Sequence, residues 1–142
     1  MSGTPEEFQA DIDDFIQRSE RLMTAVVQKS AEETARIAQK PKARGGRMPV
    51  DTGFLRNSLT AHIGAIPSGR DVAPEGYQQT SWASNAVILT INNMELGDTI
   101  YLGWTAHYAL HQENKNSFMR TAAQQWRQTV DMVVRDARER FG

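Results

Sequence analysis

Apolar residues recur at intervals of mostly three and four along the first part of the chain: Phe8, Ile12, Phe15, Ile16, Leu22, Met23, Val26, Val27 and Ile37. That spacing gathers them on one stripe of a helix. Upstream, Thr4 suits the capping position and Pro5 the first helical position. Glu7 stands three places after Thr4, as a capping box requires. Lys40 precedes Pro41, and a residue before proline avoids helical backbone, so one long helix is predicted over 1–40. Average helices run to only about 11–12 residues. A chain this small has limited surface with which to cover such a stripe, so part of it is expected to bury against another subunit.

The pattern then changes. Residues 41–53 form a loop rich in Gly, Pro and cations, and 54–64 read as a short turn and a strand in which Leu59, Ala61 and Ile63 alternate with Thr60 and His62. Gly, Pro, Ser and Gln dominate 64–82, predicting a long mobile loop, with Tyr77 and Trp82 as residues through which it would dock. Residues 85–104 read as a β-hairpin: Ala86–Ile91 as one strand, Asn92–Asp98 as the turn, and Thr99–Trp104 as the second strand. A short helical turn is expected within 105–112. A final helix over 116–141, capped by Asn116 or Ser117, carries Met119, Ala122, Trp126, Val130, Val133 and Ala137 on one stripe. The expected fold is a single α+β domain over 1–142, its long N-terminal helix and C-terminal helix packed on a small antiparallel β-sheet of about three to four strands.

Composition narrows the function without naming it. The 142 residues carry a net charge of −1 and contain no cysteine, which removes disulfides, thiolate catalysis and cysteine-based metal sites. The acidic start, Met1 to Glu7, lacks the apolar run of a signal peptide, and Ala86–Leu89 is far too short to cross a bilayer, so a soluble product of the bacterial cytoplasm without membrane contact is expected. Charge is nevertheless polarised. Five cations and no acid lie between Arg36 and Arg47, whereas Glu6, Glu7, Asp11, Asp13, Asp14 and Glu20 crowd the other end of the long helix. The basic loop is either a solvated surface or a contact with an acidic protein face or a DNA backbone.

Catalytic chemistry finds little support. His107 and His111 stand four apart with Glu113 nearby, but a zincin needs glutamate directly after the first histidine, where Tyr108 stands. No G-x-S-x-G elbow is present, and Gly45-Gly46 lacks the Lys-Ser/Thr ending of a phosphate loop. Trp82, Trp104 and Trp126 read as core or interface anchors. No catalytic residue, cofactor or metal is expected, and the chain is not expected to be an enzyme.

Val50-Asp51-Thr52-Gly53-Phe54-Leu55-Arg56-Asn57-Ser58 resembles the V-D-T-G-x-L-R-x-S signature of small tail-component proteins of long-tailed bacteriophages, called tail-completion, neck or head–tail-joining proteins. Tyr108–Glu113 resembles the family's Y-A-x-x-x-E segment, and Phe118–Ala122 its F-[ML]-R-x-A helix opening. The order along the chain is also similar. Two departures, Asn114-Lys115 for a glycine-threonine pair and Ser117 for a proline, both affect the turn into the final helix.

The resemblance implies a minor tail protein of the virion, made in the host cytoplasm, that forms a homo-oligomeric ring of roughly six copies where head meets tail. Its partners would be neighbouring head-closure or neck, tail terminator and tail tube proteins, with DNA passing through the lumen without sequence-specific binding. Contacts are expected from Lys42, Arg44 and Arg47, from Asp51, Thr52, Gly53, Phe54, Leu55 and Arg56, and from Tyr77 and Trp82. A tail terminator, a head-closure ring, a small DNA-binding accessory protein using the 36–47 cations, and a metal hydrolase built on His107, His111 and Glu113 are the competing readings.

Overall fold

The computed structural model describes residues 3–141; Met1 and Ser2, part of the acidic start read above, lie outside it. The first helix, α1, runs unbroken from Pro5 to Gln39, about 52 Å at a 1.5 Å rise per residue. Its capping box is formed as expected: the Glu7 amide donates to Thr4 Oγ1 at 3.1 Å and the Thr4 amide to the Glu7 carboxylate at 3.1 Å. Lys40 leaves helical backbone at φ −64°, ψ 122°, as a residue before proline should.

A turn of 3-10 helix at Lys42–Arg44 leads to the short helix α2, Phe54–Asn57, and strand β1, Leu59–Ile63. Strand β2, Ile100–Trp104, pairs with β1 antiparallel, setting Leu59 opposite Trp104 and Ile63 opposite Ile100. The sheet among the described residues has two strands, not three or four. The missing strand is a helix: Asn85–Asn92 forms α3. Six consecutive residues from Ala86 to Ile91 satisfy either period. As a helix they present Val87 and Ile91, four apart, to one place. Both are buried there with Ala31 and Ala35 of α1 and with Leu59 and Ala61 of β1, while Leu89 faces outward. A two-stranded sheet needs a packing layer on its apolar face, and α3 with α1 supplies it.

The helical turn expected within 105–112 extends into α4 (Ala109–Asn116), and the helix expected over 116–141 is two, α5 (Phe118–Gln124) and α6 (Trp126–Phe141), parted at Gln125. The break at Ser117 has a physical cause. Ser117 adopts left-handed backbone (φ 53°), and its side chain makes no cap. The buried Glu113 reaches forward instead, accepting from the amides of Met119 at 2.8 Å and Arg120 at 3.2 Å, and so caps α5 in its place. Phe118 then drops into a second core with Met48, Leu55 and Ala106, and its ring meets Trp104 edge-on at 5.0 Å. α6 turns back along α1: Trp126 lies beside Val27–Ala38, and Arg140 beside Leu22.

Small residues let α1 come close to the rest. Ala31, Ala35 and Ala38 are buried along its second half. The first half has no such cover: from Pro5 to Arg18 every residue except Ile12 is exposed.

Candidate assembly interface

The signature is a structural knot. Gly53 sits at φ 87°, which disfavours any residue with a Cβ, and a Cβ there would fall 1.7 Å from the Gln79 carbonyl oxygen. The chain at Gln79 is held against it, its amide donating to the Thr52 carbonyl at 2.9 Å. Asn57 completes the clasp. Its amide nitrogen donates to the carbonyls of Gly53, Gln79 and Ser81 at 3.0–3.1 Å, and its oxygen accepts from the Ala83 amide at 2.8 Å. Thr52 Oγ1 caps the turn by accepting from the Phe54 amide at 3.3 Å.

Arg56 ties the same region to α1. Its guanidinium donates to the carbonyls of Gln39 at 3.0 Å and Thr80 at 3.1 Å. The buried Gln39 side chain answers by donating to the Arg56 carbonyl and accepting from the Trp104 indole N–H at 3.0 Å. Desolvation first, and the charge of Arg44 second, lower the Arg56 pKa from its ordinary value. Two guanidinium groups therefore lie near one another, and among the described residues neither pairs with a carboxylate.

The eleven expected contact residues thus divide. Gly53 and Leu55 are buried inside their own chain, and Thr52 and Arg56 are engaged by the knot. Phe54 is half-buried against the ring of Tyr77, edge-on at 5.3 Å. Trp82 packs partly on the first core. Lys42, Arg44, Arg47 and Asp51 stand exposed. Their loop is compact: Lys42 and Met48 exchange backbone bonds with Met48 and Lys40 at 3.0 Å, and the Met48 side chain is a buried plug. Gly46 is required by close approach, since a Cβ would meet the Lys40 carbonyl oxygen at 2.1 Å.

The 64–82 segment has no helix or strand, yet its backbone is fixed at both ends of its course. Pro67 packs over Gly103 of β2, and Asp71 exchanges backbone bonds with Thr105 and His107 at 2.8–2.9 Å. Asp71 also accepts from the Thr105 hydroxyl at 2.6 Å. Flanking these anchors, Ile66 and Val72 are 74% and 72% exposed, and Leu110, just after the bridge to Ala106, is 72% exposed.

His107 and His111 are exposed, and Glu113 is turned to the α5 amides rather than to them. No group of three or more metal-ligating side chains occurs among the described residues. Burial raises the Tyr108 pKa, with the charges of Asp51 and Tyr77 adding to the rise and a backbone hydrogen bond with Leu55 opposing it. No helix among the described residues is long and apolar enough to cross a membrane.

No protein-family model matches the chain, and neither the curated proteins nor the solved structures contain a match. Asn57, Gln39 and Trp104, which hold the knot together, were not singled out as a group by the sequence. Asn57 lies inside the signature, but its four partners lie as far as 26 residues away, and spacing carries no trace of such bonds.

Proposed function

We propose that the chain is a structural subunit of a tailed-bacteriophage particle, forming a ring of about six copies at the head–tail interface that completes the tail and helps join it to the neck. DNA would pass through the channel without sequence-specific contact. The observation that carries this reading is the uncovered first half of α1. Phe8 and Phe15 are 63% and 64% exposed on a helix extended well past the domain that holds it. A subunit that functioned alone would gain nothing from such a surface, whereas a ring subunit needs one.

The resemblance of Val50–Ser58 to the tail-component signature supplies the particular place in the particle. In this chain the signature clasps the 64–82 segment, an arrangement suited to offering the loop residues to a neighbouring ring, with the basic loop exposed beside them. Lys42, Arg44 and Arg47 suit an acidic partner face.

The test is Arg44→Glu with Arg47→Glu, both exposed and outside the knot. Folded protein with a strong loss of head–tail joining, read as infectious particles formed from separate heads and tails, is the expected result. Normal particle yield from the double variant would remove the proposal.

A further inference from the structure

The uncovered half of α1 has the chemistry of a specific partner surface. At about 100° per residue, Phe8, Ile12, Phe15 and Ile16 share one sector of the helix. Acids border that sector on both sides, with Glu7, Asp11 and Asp14 on one flank and Glu6 and Asp13 on the other. Farther along, the same sector carries Leu22 and Val26, which lie beside α6. The exposed stretch therefore continues a helix-packing seam past the point where α6 stops covering it.

The complementary surface lies at the other end of the same helix. Where α1 ends, the basic loop and the end of the 64–82 segment line a shallow, open cleft of about 510 Å³. Its lining combines apolar Ile37, Pro41 and Trp82 with the cations Lys40, Arg44 and Arg56; a fourth cation, Arg36, is paired with Glu33. Among the described residues no carboxylate pairs with Lys40, Arg44 or Arg56. A lining of apolar and cationic residues matches an apolar stripe with acidic borders.

One copy cannot satisfy both surfaces. Phe15 and Lys40 are separated by roughly 37 Å of straight helix. Arm-on-arm pairing is also disfavoured, because residues 5–18 carry five acids against one base, Arg18, and two such arms would repel.

We propose that the acidic, apolar first half of α1 seats in the Trp82 cleft of a second copy of the chain, linking subunits head to tail. This names the subunit junction of the ring proposed above and rests on that reading only for closure into a ring. A contact between two different patches closes as a ring when the rotation allows, and otherwise extends.

The test uses the full chain and two charge reversals at exposed side chains that make no hydrogen bond in the knot: Asp11→Lys with Asp13→Lys on the arm, and Lys40→Glu with Arg44→Glu on the cleft. Light scattering across a concentration series reads the mass, and circular dichroism verifies folding. Wild type is expected to assemble beyond a monomer, and each double variant to associate at least tenfold more weakly. An equal mixture of the two variants is expected to regain assembly, because the lysines introduced on one arm then meet the glutamates introduced in the other copy's cleft, and the unaltered arm meets the unaltered cleft. A wild type that stays monomeric overturns the junction, as does a mixture that fails to assemble. Assembly untouched by either reversal overturns it while leaving the ring reading in place. Restored assembly in the mixture, together with head–tail joining indifferent to both variants, upholds the junction and removes the ring's place in the particle.

Discussion

Replacing Gly53 by alanine separates two contributions that a glycine makes. Alanine at φ 87° pays for left-handed backbone, about 1–2 kcal/mol. The new methyl would also lie 1.7 Å from the Gln79 oxygen and 2.8 Å from the Thr80 Cα. Both are backbone atoms, so no side chain can swing aside and the 79–80 segment must retreat. That movement breaks the Gln79 bond to Thr52 and the Asn57 bond to Gln79, at about 1 kcal/mol each. Alanine returns about 0.4–1 kcal/mol by stiffening the unfolded chain. The net loss is about 3 kcal/mol, a large part of the ~5–15 kcal/mol that holds a domain folded. Gly64 is the control. It has φ 80° with nothing within 4 Å of a Cβ, so Gly64→Ala should lose only the backbone contribution, about 1 kcal/mol. The two variants should differ by about 2 kcal/mol in urea unfolding. An unfolding entropy of ~2.1 cal/mol/K per residue converts this to about 7 °C in Tm. Equal losses at Gly53 and Gly64 would refute the close-approach argument, and with it the structural account of the signature.

Three further outcomes follow from the same geometry. Glu113→Ala strands two amides at the start of α5 and should lower stability by about 2 kcal/mol in denaturant titration; Glu113→Gln, which keeps one acceptor, should lose clearly less, and equal losses would deny the capping role. Because the folded state raises the Tyr108 pKa, the stability linked to its proton is fully present below about pH 10 and is lost as pH climbs through the raised value. Tyr108→Phe should flatten that alkaline decline, and an unchanged pH profile would contradict the assignment. The Ser30 hydroxyl is buried with no hydrogen-bond partner among the described residues, so Ser30→Ala should be neutral or stabilising by up to about 1 kcal/mol, and a drop in Tm would show that the hydroxyl has a partner.

Local chemistry was legible in the sequence wherever a few neighbouring residues decide it. Thr4, Pro5 and Glu7 announce the start of α1, and Pro41 its end, because caps and proline act within a turn of backbone. Gly53 could be read as a site of close approach and Leu55 as an apolar anchor, but the chain that approaches, Gln79, lies 26 positions on and was not named by any local pattern. The run from Ala86 to Ile91 was misread as a strand because β-branched residues and continuous apolarity suit either element. Burial of Val87 and Ile91 against β1 and α1 decided it, and that is a tertiary fact. The boundary at Ser117 was legible, but the side chain that caps α5 and the break at Gln125 were not, for a related reason. The residue that caps α5 is Glu113, four positions before Ser117 and on the previous helix, so a cap sought at Asn116 or Ser117 is sought in the wrong place. Lys42, Arg44 and Arg47 read correctly as exposed cations, while Arg56, nominated with them, spends its donors on its own chain.

α1 is continuous in geometry but divided in its energetics. From about Leu22 onward it is held by contacts with the rest of the fold, so its amides should exchange with solvent only when much of the domain opens. The fourteen residues from Pro5 to Arg18 rest on the capping box and on local helix propensity, and isolated helices of about that length are marginal in water. Amide hydrogen exchange should therefore show two regimes along one unbroken helix, fast before Ser19 and slow from a turn or so beyond Leu22. A partner that covers the fast half would not have to create a helix. It would select the helical population already present, and the protection it confers would map its footprint residue by residue.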